Sequence, residues 1–179
     1  MDGERAAAVL RELDGALDRL EQYARDIDLV LFTTQGVHQD GVLRAMTLAG
    51  QCAIDLALMI IADRRLGSPP TYREAFLALA RARIIPRESE QPLAQWASIR
   101  NVIVHLYTKL DLEELHRAYT ARTGVLRKFR TTAASLLAAS APPSGAPGKS
   151  GPSSVAEAPV PYRRARPLRP RPRPRTRNQ

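Results

Sequence analysis

The sequence predicts an all-α protein, an up-and-down bundle of about five helices followed by a disordered, basic, Pro/Arg-rich tail. Three observations carry this. Apolar residues recur at three- and four-residue steps through the first 141 positions, with no strand-like alternation. Gly, Pro and Ser clusters interrupt that pattern at short intervals. The composition then changes abruptly. Residues 142–179 hold ten of the 14 prolines and nine Lys/Arg against one acid, Glu157, whereas residues 1–141 hold 18 basic and 17 acidic residues. The net charge of +9 therefore belongs almost wholly to the tail. The expected organisation is a helical domain over 1–141 and a tail over 142–179.

Residues 3–32 read as one amphipathic helix, with Val9, Leu10, Leu13, Leu17, Leu20, Ala24, Ile27 and Val30/Leu31 on one stripe. Thr33 to Gly36 breaks it. A second helix runs from about Asp40 to Leu66, its apolar face formed by Val42, Ala45/Met46, Ala49, Ala53/Ile54, Leu56/Ala57 and Ile60/Ile61. Gly67 fits the position just past a helix, and Ser68-Pro69-Pro70 cannot continue one. Thr71-Tyr72-Arg73-Glu74 matches a capping box that opens a short third helix over 72–83, with Ala75, Phe76 and Leu79 inward. Ile84-Ile85-Pro86 ends it. The fourth helix covers about 88–106 and the fifth 112–138, opened by the cap candidate Asp111-Leu112-Glu113-Glu114, with Glu113-Glu114 read as a capping pair and Gly124 as a weak point. Beyond Ala141 few aliphatic residues remain to bury, and the closing Arg-Pro alternation favours extended polyproline-II backbone.

Several classes are excluded. The single cysteine, Cys52, allows no internal disulfide and no cysteine-based zinc cluster, and reads as a small core residue. The N-terminus is charged from its second residue, unlike a secretory signal. The longest apolar run, Ala53 to Ala62, is interrupted by Asp55 and is too short to span a bilayer. A cytoplasmic protein with no membrane association, no metal and no cofactor is the expectation.

The informative stretch is Trp96-Ala-Ser-Ile-Arg100-Asn101-Val-Ile-Val-His105-Leu-Tyr107. Asn101 and His105 lie four apart and share a helix face. Arg100 and His105 lie five apart, about 140° around the axis, so one helix does not aim both at one atom. Two copies crossing at a two-fold axis could line one cleft with two Arg and two His. That set suits RNA cleavage without a metal. A neutral imidazole takes the proton from a 2′-OH, a guanidinium holds the phosphate in its transition state, and a second imidazole protonates the leaving 5′ oxygen. The bare Arg-x4-His pattern is common, however, and a surface Arg with a satisfied His is its ordinary meaning.

RNVIVHLY resembles the Arg-x4-His-x-Tyr signature of HepT-like proteins, the toxin branch of the HEPN superfamily. The second helix and the Gly67-x-Pro69-x-x-Tyr72-x-Glu74-Ala75-Phe76 entry to the third are similar to that family too. The resemblance implies an all-α homodimer with a composite endoribonuclease site, the toxin of a type VII toxin–antitoxin system. It implies Arg100 and His105 as catalytic residues acting on an RNA substrate. It also implies a cognate minimal (MNT-type) nucleotidyltransferase antitoxin that blocks the toxin by transferring AMP from ATP to Tyr107. The Arg-Pro tail has no counterpart in the family pattern.

Asn101 and Asp55 are supporting candidates. Arg44, Gln51 and Asp55 share one side of the second helix, so Asp55 either orients Arg100 or a partner-chain group, or is a buried acid satisfied by Arg44 or backbone. His38 is expected in a loop and His116 on a solvated helix face, neither at metal-ligand spacing. Two other functions fit less of the chain. One is a non-catalytic HEPN-type dimer that binds a nucleotide or a nucleotidyltransferase, for which His105 would be unnecessary. The other is an RNA-binding adaptor acting through its tail, whose eight arginines in the last 17 residues attract phosphate without reading sequence.

Overall fold

A computed structural model describes residues 3–105 and 110–140. These form seven helices and no strand: α1 (Gly3–Asp26), α2 (Leu29–Thr34), α3 (Gly36–Arg64), α4 (Tyr72–Arg81), α5 (Arg87–His105), α6 (Leu112–Ala121) and α7 (Gly124–Ser140). The all-α bundle is as expected, but two of the five anticipated helices are each broken in two.

The first break falls at Ile27-Asp28. Asp28 caps α2, its Oδ1 accepting the Leu31 N–H at 2.8 Å, and an aspartate is worth more there than inside a helix. The break turns the stripe. Phe32 becomes fully buried while Val30, expected inward, is 66% exposed. The Tyr119 hydroxyl donates to the Ile27 carbonyl at 3.2 Å, satisfying an acceptor that the helix end leaves over. Thr33 and Thr34 remain helical, and the turn shrinks to Gln35, so α3 starts at Gly36 rather than Asp40. His38 accordingly sits in the first turn of α3, half-buried, and not in a loop.

α3 is the central helix and packs on α1, α2, α4, α5 and α7. It is long and apolar enough to cross a membrane by length and composition, which the run-by-run reading of the sequence did not show, and 61% of its most apolar window is buried inside the bundle. A helix apolar on nearly every side is what a central position requires. Arg65, not Gly67, takes the left-handed conformation at its end (φ 54°), with Leu66 N–H donating back to the Ile61 carbonyl at 3.0 Å; Gly67 follows with φ 94°.

The core is one cluster. Leu10, Leu13, Leu17 and Leu20 of α1 meet Met46, Ala49, Ala53, Leu56 and Ile60 of α3, with Phe76, Leu93, Trp96, Tyr119 and Phe129 filling the space between. Phe76 and Phe129 pack edge to face at 5.9 Å, a favoured aromatic geometry. α7 is clasped to α1 by charge: Arg127 reaches Asp18 and Glu21, and Arg130 reaches Asp14. The carboxylates around Arg127 hold its guanidinium firmly in the charged form.

The second break falls at Arg122-Thr123, next to the suspect Gly124. Asp111, the first residue of the expected cap, caps α6, accepting the Glu114 N–H at 2.9 Å. Glu114, expected as half of a capping pair, instead pairs through its carboxylate with Arg117 and Arg122. His116 is not on a solvated face either. Its ring packs against Phe32 and Tyr119, with Nε2 buried and unpartnered.

Candidate functional site

α5 carries the motif, and three features of the fold position it. The first is a close approach of α3. A Cβ built on Gly50 would lie 2.9 Å from the Arg100 Cβ and 3.1 Å from the Trp96 carbonyl oxygen. Glycine therefore allows α3 to press against α5 at the motif arginine. The second is Trp96, buried one turn before Arg100, whose indole N–H donates to the Arg122 carbonyl at 3.1 Å. That acceptor is free because the chain stops being helical there. The third is the α4–α5 hairpin, whose two helices pack along each other and bring the start of α4 beside Asn101.

Arg100 is half-buried. Its NH1 donates to Asn101 Oδ1 at 3.1 Å, and its Nε–H is buried with no partner. Asn101 thus holds the guanidinium by one edge and leaves donor capacity unused. His105 is the last residue of α5 and is exposed, accessible to a substrate or a second subunit. Arg100 and Asn101 are brought together; His105 joins neither by a hydrogen bond. Tyr107 lies outside the described residues, as does the tail from 142 onward.

Asp55 is half-buried and accepts from Gln51 Nε2 at 2.8 Å. Its partner is Gln51, not Arg44, whose side chain is exposed. The Gln51 bond leaves that amide's own oxygen, Oε1, buried and unpartnered. Cys52, behind this pair, is a core residue. Burial first, then the charges of Asp55 and Glu12, push its thiol up to about 12, so it stays protonated and unreactive at neutral pH. Among the described residues no three His, Cys, Asp or Glu side chains are grouped to hold a metal.

Sequence reasoning missed Gly50, the Gln51–Asp55 bond and the Trp96–Arg122 link. A signal existed for the first: a glycine inside a 29-residue helix costs about 1 kcal/mol relative to alanine, and so asks for a packing reason. The other two depend on where a helix breaks and where an amide turns, which spacing does not encode.

The fold and the motif helix together define an all-α HEPN-type bundle. A family model described as ribonuclease HepT-like matches residues 13–133, and the chain belongs to that family. Among curated proteins, the mRNA nuclease HepT of Shewanella oneidensis is 31% identical over 75 residues, or 42% of this chain; the match spans 56% of that protein's length. Among solved structures, a toxin–antitoxin assembly with AMP-PNP is similar with a TM-score of 0.67 and 21% identity, over 73% of this chain and 97% of that one. A tri-AMPylated Shewanella oneidensis HEPN toxin in complex with an MNT antitoxin gives 0.67 and 21%, over 75% and 98%. YutE of Bacillus subtilis, a cytosolic protein of unknown function, gives 0.69 and 18%, over 78% and 92%. At these identities the structural likeness is one of fold.

Proposed function

We propose that the protein is a metal-independent endoribonuclease toxin, active as a homodimer in the cytoplasm and neutralised by AMP transfer to Tyr107 from an MNT-type nucleotidyltransferase. The observation that carries the reading is Arg100 held by Asn101, with His105 exposed at the end of the same helix, in a chain of the ribonuclease HepT-like family. The partner is supported by two structural neighbours, one a toxin–antitoxin assembly and the other bound to an MNT antitoxin.

In this mechanism neutral His105 accepts the 2′-OH proton and the 2′ oxygen attacks the adjacent phosphorus. Arg100 stabilises the charge that builds on the phosphoryl oxygens. The bond to the 5′ oxygen breaks as a second imidazole, supplied by the other copy, gives that oxygen a proton. The products are a 2′,3′-cyclic phosphate and a 5′-OH. The nucleophile is internal to the RNA, so the chemistry needs no activated water. Neutralisation would join the Tyr107 oxygen to the α-phosphorus of ATP, releasing pyrophosphate and placing an anionic adenylate two residues past His105.

His105→Ala is expected to lower RNA cleavage by at least about 10²-fold with the fold kept by circular dichroism. Arg100→Ala should do likewise, and Arg100→Lys should recover little, because lysine lacks the planar fork. Wild-type cleavage should survive EDTA and leave cyclic phosphate ends. Tyr107→Phe should still cut RNA yet resist the nucleotidyltransferase. A folded His105→Ala protein that cuts RNA as well as wild type would replace this reading with the non-catalytic binding dimer.

A further inference from the structure

Beside the motif helix lies a cleft of about 380 Å³, lined by Thr71, Tyr72, Arg73, Ser98 and Asn101 together with small or apolar residues. Its polar lining is the Arg73 guanidinium, the Asn101 amide and the hydroxyls of Tyr72, Thr71 and Ser98; Ser98 Oγ already donates to the Ala94 carbonyl and Thr71 Oγ1 already accepts the Glu74 N–H. No carboxylate lines it; the neighbouring Glu74 lines a separate groove. A cleft of ligand size that carries a guanidinium and an amide and no acid favours an anion.

Two further observations specify the anion. Tyr72 opens α4 and is 38% exposed, whereas the buried face of that helix is complete without it in Ala75, Phe76 and Leu79. The core thus does not account for an aromatic ring here, and a ring at the wall of a basic cleft is a surface on which a nucleobase stacks. Asn101, in turn, is shared. Its Oδ1 is taken by the Arg100 guanidinium while its side chain also lines the cleft, so whatever fills the cleft lies next to the group that would hold the scissile phosphate.

We propose that this cleft is a subsite for the nucleotide adjoining the cleaved bond, with its base on Tyr72 and its phosphate on Arg73, and with the Asn101 Nδ2 hydrogens joining that subsite to Arg100. That the bound nucleotide adjoins the cleaved bond rests on the ribonuclease reading; the binding itself can be tested apart from cleavage. Stacking on any base makes the subsite tolerant of sequence, and the single guanidinium makes it salt-sensitive.

The experiment uses the full chain and a dye-labelled 2′-O-methyl oligoribonucleotide, which lacks the attacking hydroxyl, read by fluorescence anisotropy. Tyr72→Ala should weaken binding about tenfold, and Tyr72→Phe, which keeps the ring, far less. Arg73→Gln should weaken binding several-fold and flatten the slope of log affinity against log salt by about 0.7. On cleavable RNA the losses should fall on KM more than on kcat. Both positions are on the surface, and circular dichroism checks folding. If folded Tyr72→Ala and Arg73→Gln proteins bind and cleave like wild type, the subsite is overturned and the ribonuclease reading stands. If wild type binds and the variants do not, but no protein cuts RNA, the subsite stands and the ribonuclease reading fails.

Discussion

Gly50 is where a single atom decides the geometry of the motif. Adding a methyl group there gains about 1 kcal/mol of helix propensity, but the new carbon would sit 2.9 Å from the Arg100 Cβ and 3.1 Å from a backbone oxygen. Neither neighbour is the far end of a flexible side chain, so α3 and α5 must separate. Overpacking of this kind costs about 1–3 kcal/mol, leaving a net loss of about 1 kcal/mol in Gly50→Ala. Activity should suffer more than stability, because displacement by about 1 Å at a catalytic group can cost about 10²-fold. Thermal unfolding and RNA cleavage measured on the same preparation test this. A small drop in Tm with a large drop in kcat/KM is expected, and unchanged cleavage would mean that the close approach does not position Arg100.

Helix breaks, at the scale of elements, hold the motif helix in place. The end of α6 exposes the Arg122 carbonyl that Trp96 uses, and the Arg122 guanidinium is anchored in turn by Glu114 at 2.6 Å. Trp96→Phe should cost about 1–3 kcal/mol through the lost bond and the smaller ring, and the cost should be nearly the same at pH 7 and pH 4. Glu114→Gln should behave otherwise. Its hydrogen bonds to Arg122 and Arg117 lower the carboxyl pKa, so its contribution is present above the ordinary carboxylate value and fades as pH falls toward the lowered one. Denaturant midpoints against pH separate the two; a Glu114→Gln effect that persists at low pH would show that the ion pairs are not what matters. The same breaks explain how far the sequence could be read. The 3.6-residue stripe of α1, the capping threonine of α4 and the inward set of α4 follow from local chemistry and came out as expected. Whether residues 3–32 form one helix or two depends on Asp28 finding an amide to cap and on Tyr119, 92 positions away, finding the carbonyl that the break exposes. Periodicity is blind to that bond, and for the same reason it put Val30 inside and His116 outside. The motif was legible as Arg100, Asn101 and His105, and so was the shared side of Gln51 and Asp55; that Gln51 and not Arg44 would be the partner of Asp55 was not, because an amide's partner is chosen by packing.

Arg100 and His105 point apart on α5, so for the molecule as a whole the proposed chemistry requires a second copy. The surface is consistent with one. α3, apolar on most sides, leaves Leu58 38% exposed, and α5 leaves Val104 41% exposed beside His105. If two chains complete one site, the arginine and the histidine can come from different subunits. Mixing Arg100→Ala chains with His105→Ala chains should then yield mixed dimers with one intact arginine and one intact histidine, cleaving RNA clearly faster than either parent. The gain should stay below wild type, because one imidazole cannot serve as both base and acid in the same turnover. Light scattering should give twice the chain mass at micromolar concentration, before and after mixing. If subunits exchange, shown by differently tagged chains co-purifying, and the mixture is no more active than its parents, then the site does not span two chains. A monomer that still cuts RNA would remove the composite site outright.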